Sequence, residues 1–149
     1  MSESIGMEPD DLFLRAQFAC QSLVVEAARL ADSGRAVETL ALFTPSGERV
    51  LDGRAISGAD LRRFLERRDA MTSRRTRHCI SNISFRLMAA DRARMSSTCV
   101  VYLVSNADEE RRTAPETIID FMDEFVRDER GVWRFARREA VIQAGMRSG

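Results

Sequence analysis

His78 is the only histidine in this 149-residue chain, and thus the one side chain whose ordinary pKa lies near neutrality. It stands near the start of a segment rich in β-formers, Arg77 to Ala90. Side chains alternate along a strand without a bulge, so His78, Ile80, Asn82 and Ser84 should share one face, and Cys79, Ser81, Ile83, Phe85 and Leu87 the other. A polar inner face suits a pocket; an apolar outer face suits a partner subunit. Asp32, at the end of a long helical stripe, has two readings that do not exclude each other. It can cap a following helix, or it can hydrogen-bond His78, set its tautomer and raise its basicity. His78 without a task, buried or on the surface, remains as good a reading as a catalytic one from the residues alone. Tyr102, the sole tyrosine, lies in another expected strand, where it could polarise a substrate carbonyl or point outward.

Composition narrows the chemistry. All 23 basic residues are arginine, so Schiff-base catalysis by lysine is impossible. Cys20, Cys79 and Cys99 are scattered and form no C-x-x-C pair, so neither a disulfide framework nor a zinc site is expected, only reduced, mostly buried thiols. No metal and no cofactor is implied. The 23 acidic residues balance the arginines, and the pI of about 6.6 argues against nucleic acid as the main partner. No apolar run approaches the roughly 20 residues of a membrane span, and Met1 to Asp10 is polar and acidic, unlike a signal peptide. The expectation is a cytoplasmic protein with no membrane partner.

The elements that must position these residues follow from periodicity. Residues 1–9 are expected to be flexible, and residues 10–149 to form one domain. Asp10, after Pro9, can cap a helix whose apolar stripe runs Leu12, Ala16, Ala19, Cys20, Leu23, Ala27, Leu30 and Ala31. Asp32-Ser33-Gly34 interrupts it. A short helix, Arg35 to Phe43, carries Val37, Leu40 and Leu42; Pro45-Ser46-Gly47 reads as a turn and Glu48 to Asp52 as a short strand. Ser57 caps a third helix, with Leu61, Phe64 and Leu65 inward and Arg62, Arg63, Arg67 and Arg68 in water. Strands are expected at Arg77 to Ala90, Ala93 to Val104, Thr113 to Asp128 and Val132 to Ala144, with hairpin turns at Asp91-Arg92 and Asp128-Glu129-Arg130-Gly131. Thr113 to Asp128 also fits a helix, but a helix there would leave the last strand without a neighbour. Helices followed by long antiparallel strands mean α+β, with a bent sheet wrapped around the first helix.

Leu30-Ala31-Asp32, Thr76-Arg77-His78-Cys79-Ile80-Ser81-Asn82 and Gly131-Val132-Trp133-Arg134-Phe135-Ala136-Arg137-Arg138 together resemble the SnoaL-like family of the NTF2-like superfamily. The resemblance runs from about Leu12 to Ala144 and implies a cone-shaped, curved antiparallel sheet around a long N-terminal helix, the NTF2-like or cystatin-like α+β barrel. The helix Asp and strand His, with Asn four residues later, resemble the group of scytalone dehydratase, bile-acid 7α-dehydratase and hexachlorocyclohexane dehydrochlorinase. There the matching Asp–His dyad abstracts a proton, and Arg138 matches a pocket arginine of the dehydrochlorinase. A Tyr or Lys that some members carry five residues before the Asp is Ala27 here, and the second histidine of scytalone dehydratase has no counterpart.

The resemblance therefore implies a cofactor-independent lyase or isomerase for a small apolar or cyclic ligand, with His78 as base, Asp32 orienting it, and Asn82 and Arg138 lining the pocket; Tyr102 joins the expected substrate-binding residues from its place in a strand, not from the resemblance. A non-catalytic binding or scaffolding protein, or the small subunit of a dioxygenase, would use the same frame. A homodimer through the outer face of the sheet is expected. Arg62, Arg63, Arg67, Arg68, Arg74, Arg75 and Arg77 make a local positive region, read as a solvated face or as an anion-steering rim. Asp120, Asp123 and Glu124 read as surface charge, and Trp133 and Phe135 as sheet packing.

Overall fold

The apolar stripe of the first thirty residues folds as one 24-residue helix, α1 (Pro9–Asp32), with Ala16, Cys20, Val24, Ala27 and Leu30 buried along one side. The computed structural model describes residues 9–73, 75–104 and 113–145. The expectation of a flexible start therefore lies, for residues 1–8, outside the described residues, as does Arg74 of the positive region. Asp10 is not a cap: it sits with Asp11 inside the first turn, where a carboxylate suits the positive end of the helix dipole. Helix α1 stops for a visible reason. Gly34 takes φ +70°, and the Arg35 and Gly34 amides donate back to the Leu30 and Ala31 carbonyls at 2.9 and 3.3 Å. This is the Schellman arrangement, and it makes Asp32 the last helical residue.

A 3₁₀ helix (Ala36–Leu42) leads into β1 (Phe43–Leu51). Pro45-Ser46-Gly47 is not a separate turn but an irregularity within β1, where the register against the last strand shifts between Phe43 and Glu48. Gly47 is required there, because a Cβ would come within 3.0 Å of the Phe135 carbonyl and of Phe43. Asp52 and Gly53, both at positive φ, turn the chain into a short strand that the sequence reading missed, β2 (Arg54–Ser57). Helix α2 (Gly58–Ala70) follows, burying Leu61 and Leu65 against Ala36. Then come β3 (Arg75–Ala89), β4 (Arg92–Val104), β5 (Thr113–Arg127) and β6 (Trp133–Gly145).

The six strands form one curved, unclosed sheet in the order β2-β1-β6-β5-β4-β3, giving the expected α+β architecture. One pair departs from the antiparallel pattern: β1 runs parallel to β6, because β1 reaches its neighbour through the intervening α2 and strands rather than through a hairpin. The inner face packs on the small residues of α1. Ala16, Cys20, Val24 and Ala27 meet Phe43, Met95, Phe125, Trp133 and Phe135. Truncating the fully enclosed Phe135 to alanine would cost about 3–5 kcal/mol.

A β-bulge in β3 changes the reading of its two faces. Ser81 pairs with Thr98 and Ser84 with Ser96, so Asn82 and Ile83 together oppose the single residue Ser97. Beyond that point the alternation is inverted. Thr76, His78 and Ile80 face inward, but so do Phe85 and Leu87, which pack on the α1 core. The outer face thereby gains Ser84 and Arg86 instead of Phe85 and Leu87, and is more polar than the unbroken alternation implied.

Candidate functional site

Asp32 at the end of α1 meets the start of β3 through three donors. Its Oδ1 lies 2.5 Å from His78 Nδ1 and accepts the Thr76 hydroxyl at 3.0 Å; its Oδ2 accepts the His78 backbone amide at 2.9 Å. The two side chains are 14% and 11% exposed, so this pair is screened little by water. A carboxylate at a helix C-terminus faces the negative end of the dipole, and the donors from β3 offset that. Burial raises the Asp32 pKa, but the His78 ring, the His78 amide, the imidazole charge and the Thr76 hydroxyl outweigh it and hold the carboxyl below its ordinary value. With Nδ1 held by a carboxylate, the neutral ring carries its proton there and leaves Nε2 as the basic atom.

The cap that Asp32 would have supplied comes from elsewhere. Asp69 of α2 accepts the Ala36 and Val37 amides at 2.6 and 2.9 Å, so it caps the 3₁₀ helix and leaves Asp32 to β3. The sequence reading did not single out Asp69, whose partners lie 32 and 33 residues away.

His78 lines a cavity of about 30 Å³ under α1, with Arg138, Arg49, Arg68, Phe121 and Ile80 among its walls. That is room for one or two waters. A wider groove of about 670 Å³ adjoins it, lined by Asp32, Thr76, Arg67, Arg75, Phe64 and Met71 among others. Ala31 and Arg68 belong to both, so they form the partition between groove and cavity.

Of the predicted pocket residues, the structure brings Arg138 to His78. It is 4% exposed, its guanidinium lies 4.1 Å from the Phe121 ring centre and 5.0 Å from that of Phe135, and its Nε is 3.4 Å from Asp123 Oδ1. Asp123 is thus not surface charge. It alternates inward with Phe121 and Phe125, opposite Arg138 on β6, and is 2% exposed. Burial raises its pKa to about 6, against the downward pull of Arg138 and Arg49. Arg49 stands beside Arg138 through the parallel β1–β6 pairing. Burial first, then the charges of Arg138 and Arg68, push Arg49 down, against the pull of Asp123, yet a guanidinium keeps its charge near neutral pH.

Two predicted residues are not brought to the cavity. Asn82 sits in the bulge, exposed and at φ +49°. Tyr102 pairs with Arg77, one position out of step with the His78–Val101 pair, and so faces the other side of the sheet. Thr76 and Arg49 were missed, and Arg68, expected on the wet face of its helix, lines both groove and cavity. Thr76 alone had a local signal, two positions before His78 on the same strand face. Arg67 and Arg75 do line the mouth of the groove. Cys20 and Cys99 are buried, which pushes their pKa up to about 12 and about 11, while Cys79 is exposed. Among the described residues, no three His, Cys, Asp or Glu side chains gather as a metal would need, and no helix is long and apolar enough to cross a membrane.

Solved structures share this fold at low sequence identity. A scytalone dehydratase candidate from Novosphingobium aromaticivorans superposes with a TM-score of 0.77 at 21% identity, covering 94% of this chain and 92% of that one. A hexachlorocyclohexane dehydrochlorinase from Novosphingobium barchaimii gives 0.73 at 15% identity, covering 92% of each chain. A protein of unknown function from Mycobacterium tuberculosis gives 0.78 at 22% identity, covering 93% of this chain and 78% of that one. No curated protein sequence matches the chain. The profile of the SnoaL-like domain matches residues 13–139, from the first turns of α1 to β6 and across both Asp32 and His78, and the chain belongs to that family.

Proposed function

We propose that the protein is a cofactor-independent lyase or isomerase that removes a proton from a small, largely apolar or cyclic substrate. The carrying observation is the 2.5 Å contact of Asp32 with His78 Nδ1 beside a cavity under α1. His78 Nε2 takes the proton; the electron pair of the broken C–H bond becomes a new double bond, and a leaving group departs with its own pair. Asp32 holds the ring and stabilises the imidazolium. The body of the substrate lies in the groove, and Arg68, on a long flexible stem, moves to join groove and cavity. Asn82 and Tyr102 take no part in this reading.

The test is a panel of eliminations, dehydration of β-hydroxycarbonyl compounds and dehydrohalogenation of cyclic halides, followed by variants. His78→Ala should lower kcat by about 10²–10⁴ and Asp32→Asn should also lower it. A His78→Ala protein of full activity overturns the reading.

A second reading, a non-catalytic binding protein, is favoured by the cavity's room for only about two waters. Tight binding of a ligand that is released unchanged, with no turnover across the panel, would establish it. In either reading the protein works in the cytoplasm, where its three free thiols stay reduced. Two copies pair through the outer sheet face, where Ile118 and Met122 are exposed. A monomer at micromolar concentration in light scattering would rule the pairing out.

A further inference from the structure

The least balanced charges of the interior lie across the sheet from His78, on strands β1, β6 and β5. Arg49 on β1, Arg138 on β6 and Asp123 on β5 occupy neighbouring positions in adjacent strands and face inward. Two guanidiniums thus meet one carboxylate. Arg49 Nε, Arg138 Nε and both oxygens of Asp123 are shielded from solvent and have no hydrogen-bond partner. The 3.4 Å approach of Arg138 to Asp123 is an ion pair without hydrogen-bond alignment. Buried polar groups are ordinarily satisfied, and leaving charged ones unpaired is costly. The Asp32 carboxylate cannot make up the difference, because His78 and Thr76 already occupy it. Arg49 and Arg138 line the same small cavity as His78, so the excess positive charge faces the place where Nε2 would meet a substrate.

We infer that Arg49 and Arg138 form a subsite for a small anion, the negatively charged group of the ligand that His78 acts on. This deepens the proposed function by naming the ligand's charge. A cavity of about 30 Å³ takes one such group, not a ring, so the group is terminal. Guanidiniums present paired N–H donors to oxygen anions and tolerate partial desolvation better than an ammonium does. Two chemistries fit: a carboxylate or enolate oxygen of the ligand, or a halide leaving it. Bulky anions are excluded by size. The groove mouth, with Arg67 and Arg75, would draw either inward.

The sole histidine makes the test clean, since His78 gives the only imidazole signals in an NMR spectrum of the untagged chain. Sodium formate and sodium bromide are titrated separately, and the same titrations of the Arg49→Met protein control for ionic strength. A saturable shift of the His78 signals is expected with at least one probe. In Arg49→Met its apparent Kd should rise at least tenfold, and Arg49→Lys should recover part of the loss. Tighter binding of formate identifies an oxygen anion, and tighter binding of bromide a departing halide. No saturable shift with either probe overturns the inference, and so does an unchanged Kd in a folded Arg49→Met protein. The titration reads binding without turnover. A protein that binds the probes yet catalyses nothing therefore sinks the proposed activity and keeps the subsite.

Discussion

Asp32 grips His78 twice: one carboxylate oxygen lies 2.5 Å from the ring Nδ1, and the other accepts the backbone amide of the same residue at 2.9 Å. A single ring contact would leave the imidazole free to swing about χ1. The second bond fixes the backbone from which the ring projects, and Thr76, two residues earlier, donates its hydroxyl to the same carboxylate at 3.0 Å.

This grip has a pH signature. The Asp32 carboxyl is held below its ordinary value when folded, so the unfolded chain binds more protons in the window between the two pKa values, and stability rises with pH there. The contribution is present above the ordinary carboxylate pKa of about 3.9 and is lost as pH falls through the lowered folded value. Asp32→Asn should cost about 2–3 kcal/mol at pH 7, with the gap to the parent protein closing in strongly acidic urea. Urea unfolding between pH 7 and pH 3 measures it; a gap independent of pH contradicts the assignment.

Asp69 should matter for stability and not for the ring. Removing its carboxylate orphans the Ala36 and Val37 amides at the start of the 3₁₀ helix. Asp69→Ala should cost about 1–2 kcal/mol, a fall in Tm of roughly 3–6 °C for a chain of this size. The ¹⁵N shifts that report the His78 tautomer should stay where they are. A moved tautomer would mean that Asp69 acts through Asp32 after all.

Asn82 separates backbone from chemistry. At φ +49° it occupies a region that disfavours branched side chains, and its side chain is exposed. Asn82→Gly should be neutral within about 0.5 kcal/mol, whereas Asn82→Val should cost about 1–2 kcal/mol. Thermal melts check both. Neither variant should change the His78 signals, and a ligand-binding defect in the folded Asn82→Gly protein would return Asn82 to the pocket.

Local pattern was enough to foresee much of this molecule. The α1 stripe, the arginine-rich α2, five of the six strands (β1 only in its second half) and the turn at Asp128–Gly131 are each written in side chains a few positions apart, because helix and strand periodicity is a property of neighbours. Gly34 likewise marks where α1 must stop, and so sets Asp32 at its end. What lay beyond reach depended on partners far along the chain. The bulge at Asn82–Ile83 exists only against Ser97, and it turns Phe85 and Leu87 inward and leaves Asn82 in solvent. Asp123 looked like one of three surface acids until the β5–β6 register set it opposite Arg138. Arg49 reached the cavity only through the parallel pairing of β1 with β6. The sequence by itself determined most of the helices and strands and that His78 is the sole histidine available as a base. Tertiary structure alone decided which charges share its cavity, since a register shift of one residue reverses the face of every side chain beyond it.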